Sequence, residues 1–516
     1  MGGNTLQLDK LNPAIKNYIC ELEEIKYKYL ALKERYDLLI YQKFARRAEQ
    51  LTGGNKQQSL FTEESELAQT NTIQTENENE KQEIKSYTRK KPGRKPIDPN
   101  IPRVEEIIDI PENEKICACG AQMTKIGEES SEKVEIIPQS IYVVKTIRPK
   151  YACRCCEGTE DEKKPAVRIA APPAVIIPRS IASASLLSYI MIQKFQDHLP
   201  YYRQEQQFQR IGIEISRQDM SNWQQQVYTR LEPLFELMKK AVKSGPVIQM
   251  DETPVQVMGE EGRSDIQKSY MWLTRGGPPK KPVILYEYRE TRAGYHAQKI
   301  LEGYQGYLQT DGYPGYDTAV RGMLGIIHVG CFAHARRKFF EASKATNKPQ
   351  SAEEGIKYIR KLYDLEDKLR KENLCENNFL MERKKQAQPI LTAFREWLNK
   401  RDNEVLSSSL LGQAVVYTLK QWDKLVAYLE SPYLTPDNNA CENAIRPFVL
   451  GRKNWLFSKS PKGAESSCGI YSLIESAKQN GLEPLKYLRK LFEKAPFALT
   501  PDDWEKLLPW NIVNSS

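Results

Sequence analysis

Three acidic residues occupy positions from which their carboxylates could meet. Asp251 lies inside the strand-like run VIQMDETPVQV, Asp311 ends the run YQGYLQTD, and Glu442 lies in a predicted helix. Mg²⁺ prefers hard oxygen ligands, and two such ions about 4 Å apart can activate a nucleophile and stabilise the leaving oxygen of a phosphodiester. The pattern predicts that the three residues bind two Mg²⁺ or Mn²⁺ ions. Each acid taken alone would be an ordinary surface group.

Basic residues follow the glutamate. The stretch from Asn443 to Ala464 contains no acid. A metal ligand flanked by bases is what the phosphate backbone of DNA requires. The bases of this stretch that we expect to bind DNA are Arg446, Arg452 and Lys453.

Four longer segments around these residues resemble one known family. The segments are QMDETPVQV, LQTDGYPGYD, HVGCFAHARRKFFEA and NNACENAIRPFVLGRKNWLFS. They are similar to the motifs of the insertion-sequence-66 family of bacterial DDE transposases. The resemblance covers nearly the whole chain, from the N-terminal helix through a cysteine-rich segment to the C-terminal tail.

This resemblance implies a multidomain α+β protein with a ribonuclease-H-like catalytic core, which is a mixed sheet with helices. Asp251, Asp311 and Glu442 would form its catalytic, metal-binding triad, with a helical insertion between the second aspartate and the glutamate. Glu252 should point to the opposite face of its strand. The implied activity is hydrolysis of DNA at the element's ends, followed by transfer of the freed 3′-hydroxyl into target DNA.

Cysteines form a second candidate metal site. Five of the ten cysteines lie between Cys117 and Cys156, which favours a metal site in a reducing cytosol over a secreted disulfide framework. A C-x-x-C pair suits tetrahedral Zn²⁺, whereas the first pair has the less usual C-x-C spacing. The resembled family has a zinc-finger-like segment here, so we expect structural zinc, with buried metal-free thiols as the alternative. The predicted ligands are Cys117, Cys119, Cys153 and Cys156.

Cys331 and His334 lie one helical turn apart, after the second aspartate. The pair could form another metal site, but we favour support of the catalytic core. Arg336 and Arg337 follow on the same predicted helix, where they could hold DNA phosphates.

Two other segments are predicted to bind DNA. Residues 85–96, KSYTRKKPGRKP, form a basic strip that could lie in a minor groove, or simply be a flexible linker. Residues 201–227 have the outline of a helix-turn-helix, although two helices that merely pack together fit equally well. Ser216 and Asp219 give its second helix a capping-box-like start. The DNA-contacting residues would be Arg89, Lys90, Lys91, Arg94 and Lys95 in the strip, and Arg217, Gln218 and Asn222 in the second helix.

The N-terminal segment favours self-association. Two apolar seams repeat every seven residues between Ile15 and Leu39, which is typical of a coiled coil. The alternative is an amphipathic helix that packs on its own chain. Pairing two DNA ends would require a dimer or a larger assembly.

The pattern along the chain, together with what the family resemblance implies, predicts eight segments. They are a coiled coil (1–52), a flexible linker with the basic strip (53–103), a zinc-finger-like β segment (104–170), a helical, helix-turn-helix-like DNA-binding domain (171–244), the first part of the ribonuclease-H-like core (245–345), a helical insertion (346–432), the core helix with the glutamate (433–480) and a C-terminal helical tail (481–516).

The totals fit this outline. The 516 residues carry a net charge of +9, and 40% of them are hydrophobic, which is ordinary for a globular protein. Neither a signal peptide nor an apolar run long enough for a membrane span is present, so we expect a cytoplasmic, nucleoid-associated protein. The expected partners are element ends, target DNA and small accessory proteins of the same element. The alternatives are a non-catalytic DNA-binding regulator and a ribonuclease-H-type nuclease without strand transfer.

Overall fold

The computed structural model describes residues 13–44, 141–152, 167–345 and 349–512. Residues 64–171 form one compact unit, and the rest of the chain forms the other. The four predicted zinc cysteines and the whole basic strip lie outside the described residues. No helix among the described residues is both long and apolar enough to cross a bilayer.

The strands fall into two sheets. In the smaller unit, two strands pair antiparallel on either side of the cysteine run. The larger unit contains a mixed sheet of six strands. The bounds are β1 (Lys150–Ala152), β2 (Val167–Ile169), β3 (Val247–Val257), β4 (Lys268–Gly276), β5 (Val283–Arg289), β6 (Gly306–Gln309), β7 (Ile326–Val329) and β8 (Phe457–Ser458).

Helices surround this sheet. Their bounds are α1 (Pro13–Phe44), α2 (Ala184–Phe195), α3 (Tyr201–Arg210), α4 (Arg217–Arg230), α5 (Glu232–Val242), α6 (Gly294–Leu301), α7 (Pro314–Val320), α8 (Phe332–Lys344), α9 (Gln350–Lys371), α10 (Glu376–Glu404), α11 (Leu410–Lys420), α12 (Trp422–Val426), α13 (Asn439–Trp455), α14 (Pro461–Gln479), α15 (Pro484–Lys494) and α16 (Pro501–Glu505).

Strand β3 is the centre of the large sheet. The order is β5-β4-β3-β6-β7, with β8 paired to the far end of β3. Strands β3, β4 and β5 form an antiparallel meander, whereas β6, β7 and β8 run parallel to β3. Parallel neighbours need a crossover connection, and α7 supplies it between β6 and β7. The mixed α+β architecture predicted from the sequence is therefore confirmed.

Both faces of the sheet are buried, which explains the apolar content of its strands. Ile248, Met250 and Trp272 pack on one face with residues of α6 and α7. Val255 and Val257 lie on the other face, in a larger core that includes α2 to α5 and α13 to α15. Successive side chains of β3 therefore enter different cores.

Helix α14 covers the outer edge of β5. The Ser472 hydroxyl accepts a hydrogen bond from the Tyr286 backbone N–H at 2.8 Å. Ser476 accepts one from the Ile284 N–H at 2.9 Å, and its hydroxyl lies 3.0 Å from the Ile284 carbonyl oxygen. An uncovered edge strand would be open to pairing with another chain, so these serines protect the sheet.

The helix pair predicted at residues 201–227 is present as α3 and α4. The Ser216 side chain caps α4 and the Asp219 carboxylate returns to the Ser216 N–H, so the predicted capping box is confirmed. A buried polar network joins these helices to the core. The Gln224 Oε1 accepts from the Tyr201 hydroxyl at 2.7 Å, and the Gln224 Nε2 donates to the Ser466 hydroxyl at 2.6 Å.

Lys194 belongs to the same network. Its ammonium group donates to the Gln224 Oε1 at 3.2 Å and lies 3.9 Å from the centroid of the Tyr201 ring. Burial of the ammonium lowers the pKa of Lys194 to about 7. The charged form is therefore costly in the folded state.

A substitution at Lys194 should reveal this cost. A lysine with a lowered folded pKa destabilises most below that pKa, and the cost fades as the pH rises towards the unfolded value. Lys194→Met should therefore be more stable than the wild type near pH 7, and the difference should shrink towards pH 10. Thermal midpoints across that range measure it, with the exposed Lys240→Met as the matched control. A difference that stays constant with pH would contradict the expectation.

Helices α9 to α12, which cover most of the predicted helical insertion, pack with β7 and α8 around a second core. The fully buried Arg383 guanidinium binds the Glu366 carboxylate at 2.6 Å. It also donates to the carbonyl oxygens of Tyr428, Ser431 and Leu434, at 2.9, 2.9 and 3.0 Å. The insertion thus holds the segment that leads to α13.

Helix α1 extends along this insertion. The Glu34 carboxylate accepts a hydrogen bond from the Leu410 backbone N–H at 3.0 Å. The two predicted seams of α1 face solvent instead. Their described members are Tyr18, Leu22, Ile25, Tyr29, Leu32, Tyr36 and Leu39, all of them exposed.

Candidate active site

One edge of β3 is only partly paired with strands, and the candidate site lies there. Strand β6 pairs with β3 over residues 247–249, and β8 pairs over residues 256–257. The two ends of α13 cover the interval between them. The Asn438 side chain donates to the Met250 carbonyl oxygen at 3.0 Å, and the Arg452 guanidinium binds the Pro254 carbonyl oxygen. Buried backbone groups need such partners, so these contacts fix the glutamate-bearing helix against β3.

Asp251 lies within this interval, and Asp311 follows the neighbouring strand. Because Gln249 pairs with Gln309 in parallel strands, the two aspartates occupy equivalent positions two residues farther along. The Asp251 Oδ1 accepts the Glu252 backbone N–H at 2.8 Å. The Asp311 Oδ1 accepts the Tyr313 backbone N–H at 2.9 Å.

The turn after Asp311 is closely packed. A side-chain carbon at Gly312 would come within 2.5 Å of the Tyr417 hydroxyl of the insertion. Pro314 then begins α7. The close approach of the Tyr417 side chain therefore favours glycine at position 312, since any larger residue would displace that ring.

Glu442 lies in the first turn of α13 and is only 5% exposed. Its Oε1 is 3.7 Å from the His334 Nδ1, which is too long for a hydrogen bond. Neither carboxylate oxygen of Glu442 has a hydrogen-bond partner among the described residues. A buried carboxylate without donors is costly, so this arrangement fits a metal ligand.

Two acidic residues of the site, Asp251 and Glu442, have a raised pKa. For Asp251, burial is the largest cause of a strongly raised pKa, and Glu252, Glu442 and Asp311 add to it. Burial also raises the pKa of Glu442 to about 8, with Arg337 acting against this and Asp437 and Asp311 adding to it. Strongly shifted carboxylates in one place are typical of functional sites.

Glu252 points to the other face of β3, as predicted. Its carboxylate binds the Arg292 guanidinium and the Tyr316 hydroxyl there. The same guanidinium lies 3.9 Å from the Asp311 Oδ2. Glu252 thus has internal partners and fixes an arginine beside the second aspartate.

A series of side-chain hydrogen bonds, the glutamine chain, connects the segments that carry Asp251, Asp311 and Glu442. The Arg275 guanidinium donates to the Gln249 Oε1 at 2.9 Å. The Gln249 Nε2 donates to the Gln309 Oε1 at 2.8 Å, and the Gln309 Nε2 donates to the Thr435 carbonyl oxygen at 2.7 Å. Sequence analysis missed this chain. The available signal was that each glutamine stands two residues before an aspartate, on the same side of an otherwise apolar strand.

Cys331 and His334 lie beneath the start of α13. The Cys331 Sγ accepts the Asn438 backbone N–H at 3.3 Å, and the Phe332 N–H donates to the Pro436 carbonyl oxygen at 2.9 Å. Burial raises the pKa of the Cys331 thiol. These contacts are consistent with the predicted support of the core.

His328 supports the chain next to Asp311. Its Nε2 is 2.8 Å from the hydroxyl of Thr310, and its Nδ1 is 3.0 Å from the Asp317 carboxylate. Burial lowers the pKa of His328 to about 4, and Lys424 adds to this. A neutral imidazole therefore holds the end of β6 at neutral pH.

The predicted DNA-binding residues of the described chain are spread over three helices. On α4, Arg217, Gln218 and Asn222 are exposed. Arg336 and Arg337 on α8 are half-buried, and Arg337 acts on Glu442. On α13, Arg446 and Lys453 are exposed, whereas the Arg452 guanidinium is bound to β3.

Known families match successive parts of the chain. The model of the Transposase IS66 family matches residues 179–466, and that of the zinc-finger binding domain of transposase IS66 matches residues 114–157. The IS66 C-terminal element matches residues 472–510, and Transposase C of IS166 homeodomain matches residues 31–105.

Similar proteins occur in Sinorhizobium fredii (strain NBRC 101917 / NGR234). The uncharacterized protein y4jD is 31% identical over 429 residues, which cover 80% of this chain and 80% of that protein. The uncharacterized protein y4hP is 30% identical over 454 residues, which cover 84% of this chain and 79% of the relative.

These matches define the class of the protein as an insertion-sequence transposase, an enzyme that acts on DNA. The chain belongs to the IS66 transposase family, because the family model covers more than half of it. The resemblance drawn from the four sequence segments is confirmed.

The buried glutamine chain can be tested by stability. Gln309→Leu leaves the Gln249 amide and the Thr435 carbonyl without partners, so we expect a loss of about 1–3 kcal/mol in the free energy of unfolding. Urea denaturation measures it. Gln226→Leu, at an exposed position of α4, should change stability by less than about 0.5 kcal/mol. Equal effects of the two substitutions would contradict a structural role for the chain.

Proposed function

We propose that this transposase uses Asp251, Asp311 and Glu442 to bind two Mg²⁺ or Mn²⁺ ions and cleave DNA at the ends of its element. The observation that carries the proposal is the meeting of three distant segments at one edge of β3, where burial and neighbouring carboxylates raise the pKa of Asp251 and of Glu442. The ions, when bound, would activate the attacking oxygen and stabilise the leaving oxygen. The freed 3′-hydroxyl would then attack target DNA.

The sheet supports a ribonuclease-H-like core. An antiparallel meander of three strands continues into strands parallel to β3, in the order β5-β4-β3-β6-β7. The first aspartate lies on the central strand, the second follows the adjacent parallel strand, and the glutamate lies on a helix packed across them. These positions support the ribonuclease-H-like core that the resemblance implies.

The residues around the triad have positioning roles in this proposal. Asn438 and Arg452 hold the two ends of the glutamate helix on β3. The Gln249–Gln309 hydrogen bond joins β3 and β6, the strands that position the two aspartates, and Gln309 also binds the Thr435 carbonyl oxygen in the segment before that helix. Arg292, bound to Glu252, leaves a positive charge beside Asp311 that can face a DNA phosphate.

DNA recognition would use several parts of the chain. The exposed Arg446 and Lys453 continue from the site along α13, and α4 presents its own polar face. The zinc-finger family model spans all four predicted cysteine ligands, which supports a structural Zn²⁺ site. The basic strip remains a proposed minor-groove contact. Such a protein would work on the nucleoid, with small accessory proteins as further possible partners.

Cleavage of labelled element-end DNA with Mg²⁺ tests the proposal. Asp251→Asn, Asp311→Asn and Glu442→Gln should each reduce cleavage about a hundredfold or more, because losing a metal ligand costs several kcal/mol of transition-state stabilisation. Gel-shift affinity for the same DNA should be retained. Asp364→Asn, an exposed acid on α9, is the matched control.

The same assay decides between the alternatives. Wild-type protein that binds the ends but never cleaves them would support the regulator. Cleavage without any product joined to a target plasmid would support a nuclease without strand transfer. Cleavage by all three carboxylate variants would refute the assigned triad.

We also propose that α1 self-associates as a coiled coil with a second copy of this chain. Leu32, at 66% exposure, and Ile25, at 60%, lie in one of two apolar seams that face away from the insertion. Covering both seams would remove them from water. The family model that begins at residue 31 includes the last part of this helix.

A charged residue in one of the apolar seams of α1 should dissociate the proposed coiled coil. Leu32→Glu puts a carboxylate where apolar side chains must pack, so sedimentation should show a shift towards the monomer. Leu30→Glu introduces the same side chain outside the seams, at a position that is 43% exposed, and should leave the mass unchanged. Identical masses for both variants and the wild type would contradict the coiled coil.

A further inference from the structure

We infer that Cys331, His334 and Glu442 form a binding site for a thiophilic divalent cation of the Zn²⁺ class. One ligand atom from each residue lies within 4.8 Å of the other two. No other set of three His, Cys, Asp or Glu ligands among the described residues meets this condition. In particular, the oxygens of Asp251, Asp311 and Glu442 do not.

The local fold explains why these three atoms converge. Cys331 is the N-cap residue of α8, and His334 lies three residues later, on the same face of the first turn. Glu442 enters from the first turn of α13. Two helix starts therefore meet, joined by the hydrogen bond from the Asn438 N–H to the Cys331 sulfur.

One distance in this set fits tetrahedral zinc. Metal–ligand bonds of about 2.0–2.3 Å at tetrahedral angles place two ligand atoms roughly 3.3–3.8 Å apart. The separation between the His334 Nδ1 and the Glu442 Oε1 is 3.7 Å, which lies in that range. The same distance is too long for a hydrogen bond.

Two further observations point to a ligand. Both oxygens of the buried Glu442 carboxylate lack a hydrogen-bond donor among the described residues. The buried Cys331 sulfur, whose distance to the other two ligand atoms is within 4.8 Å, accepts the Asn438 backbone N–H at 3.3 Å. Three protein ligands would leave the fourth position of a tetrahedral ion for water.

This site differs in chemistry from the proposed Mg²⁺ pair. A thiol and an imidazole select zinc-like ions, whereas carboxylates alone suit magnesium. Because the two sites share Glu442, occupancy by zinc would withdraw that carboxylate from the aspartates. This consequence, though not the site itself, depends on the proposed cleavage function.

Cobalt binding provides a test that needs no activity. Metal-free, full-length protein is titrated with Co²⁺, and thiolate-to-cobalt charge-transfer absorption is recorded. A Cys153→Ser, Cys156→Ser background removes the predicted zinc-finger signal. In that background we expect one equivalent of thiolate-bound cobalt. Cys331→Ser should abolish this signal, whereas Cys375→Ser, which changes an exposed cysteine, should leave it unchanged. An unchanged band after Cys331→Ser would overturn the site.

Two more variants separate the possible failures. His334→Asn, which keeps the thiol, should weaken Co²⁺ binding at least tenfold while the thermal midpoint shows that the protein is folded. Unchanged affinity in that variant would also overturn the site. Asp251→Asn should abolish cleavage but keep the cobalt signal, so failure of the transposase proposal and failure of this site give different results. With wild-type protein, Zn²⁺ should inhibit Mg²⁺-dependent cleavage.

Discussion

The structure depends on how one edge of β3 is hydrogen-bonded. Two short strands, β6 and β8, pair with the two ends of this edge, so the backbone groups between them must bond to something other than a strand. Here a helix does this with a side chain at each end, Asn438 at its start and Arg452 near its finish. A glutamate near the start of that helix is thereby fixed beside the aspartate of the strand. The geometry of the proposed active site is thus a consequence of how the sheet edge is covered.

The same arrangement concentrates negative charge where water is scarce. Burial is the largest cause of the raised pKa at both Asp251 and Glu442, and neighbouring carboxylates add to it. The protein offsets part of this cost with fixed groups, such as Arg337 near the glutamate. In the proposed function, a bound divalent cation would offset the remaining cost, because divalent ions are the strongest available counter-charge.

Sequence reasoning predicted much of this molecule. Strand β3 coincides with VIQMDETPVQV, and the capping box at Ser216 was recognisable because both of its residues lie within four positions. Contacts between segments that are distant in the sequence could not be predicted in this way. Strand β8 has two residues, too few for any periodic pattern, and the Gln249–Gln309 bond spans 60 positions. The approach of Glu442 to Cys331 and His334 likewise depends on how two helix starts meet, which no local pattern encodes.

Arg383 has a consequence for how such transposases can be altered. Its guanidinium, at the centre of the insertion, binds three carbonyl oxygens of the chain that returns to the sheet. Through Arg383, helix α10 therefore fixes the backbone between α12 and α13, which leads to Glu442. Deleting the helices of the insertion, or replacing them with another domain, would remove the hydrogen bonds that hold this backbone segment. We therefore expect sequence variation among relatives to be confined to the exposed surfaces of α9 and α10.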